Sequence, residues 1–521
     1  MAILELIDVS KSFGEKKVLN HLSLTVKEKT IFGFIGKNGA GKTTTMKLIL
    51  GLLKKDAGTI KVNDETVHYG QTKTNRWIGY LPDIPMFYDY LTAEEYLQLC
   101  GEITEMPKHK IQQKTQELLA LVGLAHEKKR IRTFSRGMKQ RLGIAQGLLN
   151  EPKLFICDEP TSALDPLGRK EILDILLRVK EQTTILFSTH ILSDVEQICD
   201  EVAFLNKGEI VLSGTIAELK THPKNEGFEI QFPTVKHSQE FLSLLPGAIM
   251  KNETLRTNFY GSGGQMKQLL AFSKKEWKEN WRTGRLLLLL SLTIIFGIMN
   301  PLIAKLTPYI VQSMSENLAA SGMKIGEVNV DALTSWGQFY KNMPMFLLLF
   351  LLLFSSTLTN EYQKGTLINL LTKGMVRWKI YFTKWIMGQF FWAVGFWGCS
   401  FITYFYTAIY WDNELVVQLG TRSFYYYLWG VWLYTLFLWL SSFISSGYFV
   451  LACGGICVAG CYLLSMFTKV AEYSPFYLTT VSNALGERID SSNYSFSLVV
   501  TGLMIAAFLV TGILFFNKKE S

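Results

Sequence analysis

The sequence predicts two fold classes in one chain: an α/β domain, then an all-α domain that crosses a membrane six times. Three observations carry this. The apolar run at 31–35 passes through a glycine-rich turn directly into a helix-forming segment, the order of a strand and its following helix. Residues before about Gly261 form an ordinary globular mixture of short strand-like runs and amphipathic helices. After Leu286 the chain carries uncharged runs close to the ~20 residues that span a bilayer. Hydrophobic residues make up 48% of the 521 and aromatics 13%, with mean hydropathy +0.17. That is high for a soluble protein, and the excess lies in the second half. The formal charge of +9 calls for no nucleic-acid partner, because much of it lies beside the apolar runs. The seven cysteines are scattered, with no disulfide or zinc framework, as suits a reduced, cytosolic first half. Met1 leads directly into a strand-like stretch, so the N-terminus is expected in the cytosol.

The turn after residue 35 is the most specific feature. Gly36, Gly39, Gly41, Lys42 and Thr43 match the phosphate-binding loop G-x-x-x-x-G-K-[ST] in its strand-then-helix setting. Glycines let backbone N–H groups close around phosphate oxygens, and the helix start adds the positive end of its dipole. Lys42 reaches the β- and γ-phosphates, and the Thr43 hydroxyl serves as a ligand to Mg²⁺. The stretch predicts binding of a nucleoside triphosphate.

The other elements follow in order. Residues 2–9 and 22–26 alternate like paired strands joined by a polar hairpin at 14–17. On pattern alone Phe13 is a half-buried turn aromatic. Residues 78–82 read as a short strand, followed by Asp83, and 108–122 as an amphipathic helix. Ser135 takes an N-cap position for a helix that runs to about Leu149. The apolar run 154–157 ends in Asp158, Glu159 and Pro160. A strand delivering two carboxylates at its C-terminal edge suits a nucleotide site. Asp158 then holds Mg²⁺ through water, and Glu159 polarises the attacking water. Without the phosphate loop the same pair reads as surface punctuation. The strand 185–188 ends in Thr189 and His190, and a lone strand-end histidine is usually structural.

Together and in this order, these stretches resemble the ATPase cassette of ATP-binding-cassette (ABC) transporters, from Ala2 to about Lys220. The resemblance implies an α/β P-loop ATPase cassette over 1–227, with a RecA-like core, a β subdomain and a helical subdomain. Phe13 stands where an aromatic stacks on adenine. Gly36, Asn38, Gly39, Ala40, Gly41, Lys42, Thr43 and Thr44 stand in the Walker A loop. Phe134 to Gln140 match the signature, Leu154 to Glu159 Walker B, Ser162 to Asp165 the D-loop, and His190 the switch histidine. The family arrangement implies ATP and Mg²⁺ as cofactors, and two cassettes closing head to tail. Ser135, Gly137 and the helix start behind them would meet the γ-phosphate held by Lys42 of the partner subunit. Glu159 is the implied general base, with His190 holding the γ-phosphate and the attacking water. Two departures stand out. Arg136 and Met138 replace the first glycine and the glutamine of the usual LSGGQ. Asp83 stands where glutamine is usual, which leaves its direct Mg²⁺ ligation open. With Glu159 and His190 both in place, an active ATPase is expected.

Residues 228–265 read as a small appendage ending in a flexible Gly261-Ser262-Gly263-Gly264 linker. Met266 to Arg285 resembles the start of a separate permease polypeptide, so the chain reads as two reading frames joined. Its interleaved lysines and apolar residues predict an amphipathic helix on the membrane surface. From 286 to 521 the expected spans are 286–304, 343–359, 386–410, 425–444, 447–467 and 498–516, with external loops at 306–342 and 468–497. Lys and Arg concentrate before the first span, between the second and third, and after the last, which places both termini and the cassette in the cytosol. The polar stretch 361–384 resembles the coupling segment of type-2 ABC permeases, a helix that docks on the cassette. Cys453, Cys457 and Cys461 share a helix face with no acid or histidine, and suit close helix packing better than a metal. Aromatics such as Trp392, Trp429 and Trp432 line either a substrate path or the lipid boundary. No ionisable residue lies well inside a span, which disfavours ion coupling.

These features predict an ATP-driven exporter of a bacterial cell membrane, working as a homodimer of half-transporters. Its partners are membrane lipid and a hydrophobic or amphipathic cargo. The whole resembles Gram-positive exporters of antibiotics and amphipathic peptides, among them the phenol-soluble modulin exporters of staphylococci. Export of lipid, polysaccharide or drugs, or an ATP-dependent membrane sensor that moves no cargo, are the alternatives.

Overall fold

The computed structural model describes residues 2–71, 73–216, 218, 264–319, 330–467 and 471–519. The expected appendage and linker lie outside them, except that Gly264 and Gln265 open a helix.

Two sheets build the first half. β1 (Ala2–Phe13) and β2 (Lys16–Lys27) form the expected hairpin, turning at Gly14 with φ +58. With β4 (Ala57–Val62) and β5 (Glu65–Thr66) they make an antiparallel sheet in the order β2-β1-β4-β5. The second sheet runs β10-β9-β3-β8-β7-β6. Here β3 (Ile31–Ile35), β6 (Ile78–Leu81), β7 (Leu154–Asp158), β8 (Thr184–Thr189) and β9 (Glu201–Asn206) pair in parallel, and β10 (Glu209–Thr215) closes one edge antiparallel. Every residue of β3, β7 and β8 is buried, which is why their central residues are predominantly apolar. Their register aligns Ile35 with Thr189 and Ser188 with Asp158. The phosphate loop, the two acids and the histidine therefore emerge from one sheet edge.

α1 (Lys42–Ile49), α5 (Pro166–Val179) and α6 (Leu192–Ile198) follow strands of this sheet. A helical subdomain of α2 (Ala93–Ile103), α3 (Lys108–Leu121) and α4 (Arg136–Leu148) stands between β6 and β7 in the chain. α2 opens with a capping box between Thr92 and Glu95. Ser135 caps α4, its Oγ accepting from the Met138 N–H at 3.2 Å.

The second half is helical. α7 (Gly264–Arg282) precedes α8 (Arg285–Ala319), α9 (Ala332–Phe354), α10 (Thr357–Gln363), α11 (Thr366–Thr372), α12 (Arg377–Ala408), α13 (Leu419–Phe443), α14 (Gly447–Ser465) and α15 (Ser495–Lys518). Among the described residues five stretches are long and apolar enough to cross a membrane: Arg285–Val311, Ala332–Gln363, Arg377–Ala408, Gly447–Ser465 and Ser491–Lys518. The expected fourth span forms the 25-residue α13. It falls short on hydropathy because tyrosine and tryptophan carry polar handles. The first span also differs from expectation. α8 continues through the supposed start of an external loop at 306, with Pro301 and Pro308 inside it.

Tight helix crossings explain the buried aromatics. A Cβ at Gly430 would meet the Trp392 ring at 2.2 Å, and one at Gly454 the Phe437 ring at 2.4 Å. Trp392 and Trp432 are fully buried, so they belong to the helix core and not to a lipid belt. A Cβ at Gly460 on the same helix would meet nothing within 4 Å.

Candidate nucleotide site and its link to the membrane half

The phosphate loop is built by backbone constraint. Gly41 has φ +113, and a Cβ there would meet the Leu19 side chain at 2.7 Å. At Gly36 a Cβ would meet the Leu205 carbonyl at 2.6 Å. Lys42, first residue of α1, is buried and turns its ammonium back over the loop to donate to the Gly36 carbonyl at 2.5 Å. The same ammonium lies 3.1 Å from Glu159 Oε1. Glu159 Oε2 in turn lies 2.8 Å from His190 Nδ1. Three residues far apart in the chain thus meet in one line of contacts.

Glu159 takes φ +50, the left-handed region that side chains rarely adopt. Its N–H donates both to the Ser188 carbonyl and to Ser188 Oγ, each at 3.1 Å, and these bonds hold the unfavourable conformer. Such strain concentrates at functional positions. Asp158 is buried, and its Oδ1 accepts from Ser188 Oγ at 2.7 Å. Burial pushes its carboxyl above the usual carboxylate range. Hydrogen bonds from Ser188 and Thr43 oppose that shift, while the nearby Glu159 and Asp83 add to it. An acid hydrogen-bonded to Thr43 under this pressure has the donor set that a divalent cation relieves.

The remaining residues lie farther out. Phe13 is exposed at the end of β1, with the Lys11 ammonium 5.0 Å from its ring centre, so it is not the half-buried turn aromatic of the pattern. Asp165 is exposed at the start of α5. Among the described residues no hydrogen bond or ion pair joins Ser135, Gly137 or Asp165 to Lys42. The two departures from the family pattern meet each other: Arg136 Nη2 lies 3.7 Å from Asp83 Oδ1. Gln140 Nε2 also donates to the Asp83 carbonyl at 3.2 Å and to the Pro160 carbonyl at 3.1 Å. Ser188 is a site residue that sequence reasoning missed, since a strand-interior serine carries no signal of its own.

The membrane half reaches the cassette at several places, two of them dense in polar contacts. In the first, Lys275 of α7 lies 2.6 Å from Glu361, 2.7 Å from Glu279 and 2.9 Å from Glu276. Lys384 of α12 lies 2.7 Å from Glu276 and 3.1 Å from Glu361. Tyr88 and Tyr90 of the cassette donate to Glu361 and Glu279 at 3.1 and 3.2 Å. Burial pushes the Lys275 ammonium down, but the three carboxylates outweigh it and hold it well above the ordinary lysine value. α7 was expected to lay its lysines on the membrane surface. Lys275 is instead only 2% exposed, because its carboxylate partners lie within the protein. In the second place, α11 inserts among cassette groups. Asn369 donates to the Tyr96 hydroxyl at 3.1 Å, and the Leu371 carbonyl accepts from Asn75 Nδ2 at 3.0 Å.

The model of the family described as ABC transporter matches residues 19–162. The uncharacterized ABC transporter ATP-binding protein YxlF of Bacillus subtilis (strain 168) is 44% identical over 231 residues, 44% of this chain and 76% of that protein. The bacitracin transport ATP-binding protein BcrA of Bacillus licheniformis is 42% identical over 212 residues, 40% of this chain and 68% of that protein. The linearmycin resistance ATP-binding protein LnrL of Bacillus subtilis (strain 168) is 34% identical over 219 residues, 42% of this chain and 70% of that protein. The chain belongs to the ABC transporter family. It carries that family's ATP-binding domain, an ATP-hydrolysing transport ATPase.

Proposed function

We propose that this chain is a half-transporter whose homodimer exports a hydrophobic or amphipathic cargo, a membrane-active peptide foremost, across a bacterial cell membrane. The observation that carries the reading is the Lys42–Glu159–His190 line of contacts, in one chain with a membrane cavity free of charged side chains. That cavity measures about 680 Å³ and lies between α9, α13 and α14, lined among others by Leu347, Leu351, Trp429, Leu451, Gly455 and Phe476. Its size and apolar walls suit a small-molecule or side-chain cluster rather than an ion. Relatives named for bacitracin transport and linearmycin resistance support an exporter. The finer likeness to phenol-soluble modulin exporters rests on the sequence alone. Six spans, with α13 as the fourth, put both termini on the cassette side.

Hydrolysis follows from the contacts. Lys42 now pairs with Glu159. An incoming γ-phosphate competes for that ammonium and frees the Glu159 carboxylate to take a proton from water. His190, bonded to the other carboxylate oxygen, orients the pair and reaches toward the γ-phosphate. Thr43 and Asp158 would hold Mg²⁺, which supplies charge neutralisation at the phosphates. Ser135, Gly137 and the open N–H groups of α4 complete the site on the nucleotide of the partner subunit. Phe13, exposed, offers a face to adenine. The junction formed by α7, α10 and α11 carries cassette closure into the spans.

The test is steady-state ATPase of the chain in nanodiscs, wild type beside Glu159→Gln, with and without amphipathic helical peptides. Peptide stimulation that vanishes in the variant supports the reading. Stimulation by lipid alone would replace peptide with lipid as cargo, and hydrolysis that survives in Glu159→Gln would remove Glu159 as base.

A further inference from the structure

Lys373 follows α11 directly and points its ammonium into the cassette. Nζ donates to the Gln146 carbonyl at 2.5 Å and to Asn150 Oδ1 at 2.8 Å. Gln146 lies in the last turn of α4. The carbonyls of a last turn have no partner within the helix and carry the negative end of its dipole. Lys373 is 5% exposed, and among the described residues no carboxylate pairs with it. It is a buried cation whose hydrogen-bond partners are a helix end and one amide.

α4 has the signature at its other end. Its 13 residues make a rod of about 20 Å, with Ser135 at the start and Lys373 against the finish. Gln140 and Arg136 tie the first turns to Asp83 and Pro160 beside the nucleotide pocket. A displacement at one end of such a helix is transmitted to the other, because its backbone ladder resists compression.

We propose that Lys373 is a positioning residue for ATP hydrolysis. By holding the C-terminal end of α4, the membrane half sets where that helix presents Ser135 and its open N–H groups to the nucleotide of a second copy. This rests on the exporter reading above, in which α4 meets ATP held by the partner subunit.

A positive charge is the feature that matters at this place. A neutral side chain leaves the last carbonyls of α4 uncompensated, and an acid repels them. Burial pushes the Lys373 ammonium down to about 8, with Cys100 on α2 pulling weakly the other way. Cys100 itself is pushed up to about 11 by burial, and burial likewise carries Tyr96, also on α2, well above the ordinary tyrosine value. Neither neighbour therefore titrates near pH 8. The folded value lies below the ordinary 10.5, so loss of the proton between the two favours the folded chain. A fall in turnover across that window reports lost charge at α4 and not unfolding.

The experiment uses the full chain in nanodiscs, with kcat and KM for ATP measured from about pH 6.5 to about 9.5, spanning the window in which lysine loses its charge. Wild-type kcat should fall as pH rises through about 8. Lys373→Met should lower kcat about ten-fold at neutral pH while KM stays within about two-fold, because the Lys42 loop is untouched. Lys373→Arg should keep kcat and flatten the decline above pH 8, since guanidinium stays charged. Asn150→Ala removes one acceptor and leaves the lysine in place. It should cost a few-fold in kcat, non-additively with Lys373→Met, and it decides the matter if the methionine variant does not fold. Wild-type kcat in both Lys373→Met and Asn150→Ala, or a Lys373→Arg profile that declines like wild type, would overturn the proposal. If Glu159→Gln is inactive in the same assay, that failure belongs to Lys373 alone and not to the ATPase reading.

Discussion

The nucleotide pocket and the cassette–membrane junction are both rich in buried charge, yet they are assembled on opposite plans. In the pocket each charged group has one or two exchangeable partners. Lys42 rests on Glu159, Glu159 rests on His190, and each contact lies where a phosphate would enter. At the junction three carboxylates and two ammonium groups are bonded to one another in one buried set. Glu276, Glu279 and Glu361 bring carboxylate oxygens within 4.8 Å of each other, as a metal site would. The ammonium groups of Lys275 and Lys384 already stand among these carboxylates, in the place a metal ion would take. The contrast teaches that buried charge marks a ligand site when its partners can be displaced, and a mechanical joint when they cannot.

The strongest way to sharpen that comparison is Glu159→Gln. It keeps the shape and the His190 contact but removes the base, and turnover should fall by about 10²–10⁴. ATP binding should persist, measured by a fluorescent nucleotide on the same sample. A variant that hydrolyses at the wild-type rate would place the base elsewhere.

Next in size is Glu361→Gln. It removes the buried carboxylate that both Lys275 and Lys384 touch, and breaking such a buried set costs about 3–5 kcal/mol. Thermal unfolding should record the loss, and cargo should cease to stimulate the ATPase. Adding Lys384→Met should cost less than Lys384→Met alone, because that ammonium has already lost one of its two carboxylate partners. Losses that simply add in the double variant would mean that these groups do not act as one network.

These two regions also differ in how far they could be read in the sequence. The pocket is local by design: Gly36 to Thr44, Asp158–Glu159 and His190 each sit in a short pattern with its own chemistry. Parallel pairing then brings the patterns to one edge, a consequence of strand order that alternation already foretells. The junction has no such pattern. Lys275 looks like any lysine of an amphipathic helix until Glu361, 86 residues later, is folded against it. Arg136 and Asp83 looked like two separate departures, and only the structure joins them. The membrane helices were located to within a turn at only some ends: α9, α12 and α13 begin well before the expected 343, 386 and 425, and proline failed to end α8 at 306. Pro301 and Pro308 sit inside that helix, and prolines are tolerated there because neighbouring groups in a membrane bundle satisfy the freed carbonyls.

A third, smaller effect tests the cavity that neither region occupies. Gly455 lines it, and a Cβ there meets nothing within 4 Å. Gly455→Trp should fill the space without displacing the helices. Peptide transport into inverted vesicles should drop about ten-fold while basal ATPase stays within about two-fold, the split expected when cargo binding is lost and the hydrolytic step is intact. Equal loss of both would argue that α14 had been displaced.

The smallest effect comes from Glu95, which joins the two plans at the edge of the junction. It accepts from the Thr92 N–H at 3.0 Å in the capping box of α2, and both its oxygens meet the Arg282 guanidinium of α7, at 2.7 and 2.8 Å. Burial raises its carboxyl, but the Arg282 and Thr92 bonds prevail and hold it down near about 2, against an ordinary 4.5. The sign follows directly. The unfolded chain takes up this proton first as pH falls, so the stabilisation is complete above about 4.5 and is lost on the way down to about 2. Because the pair is partly exposed, Glu95→Gln should cost under about 1 kcal/mol at neutral pH. The difference in unfolding midpoint between wild type and variant should vanish near pH 2. A gap that stays constant from neutral pH to that limit would assign the effect to the geometry of the α2 cap and not to the charge shared with α7.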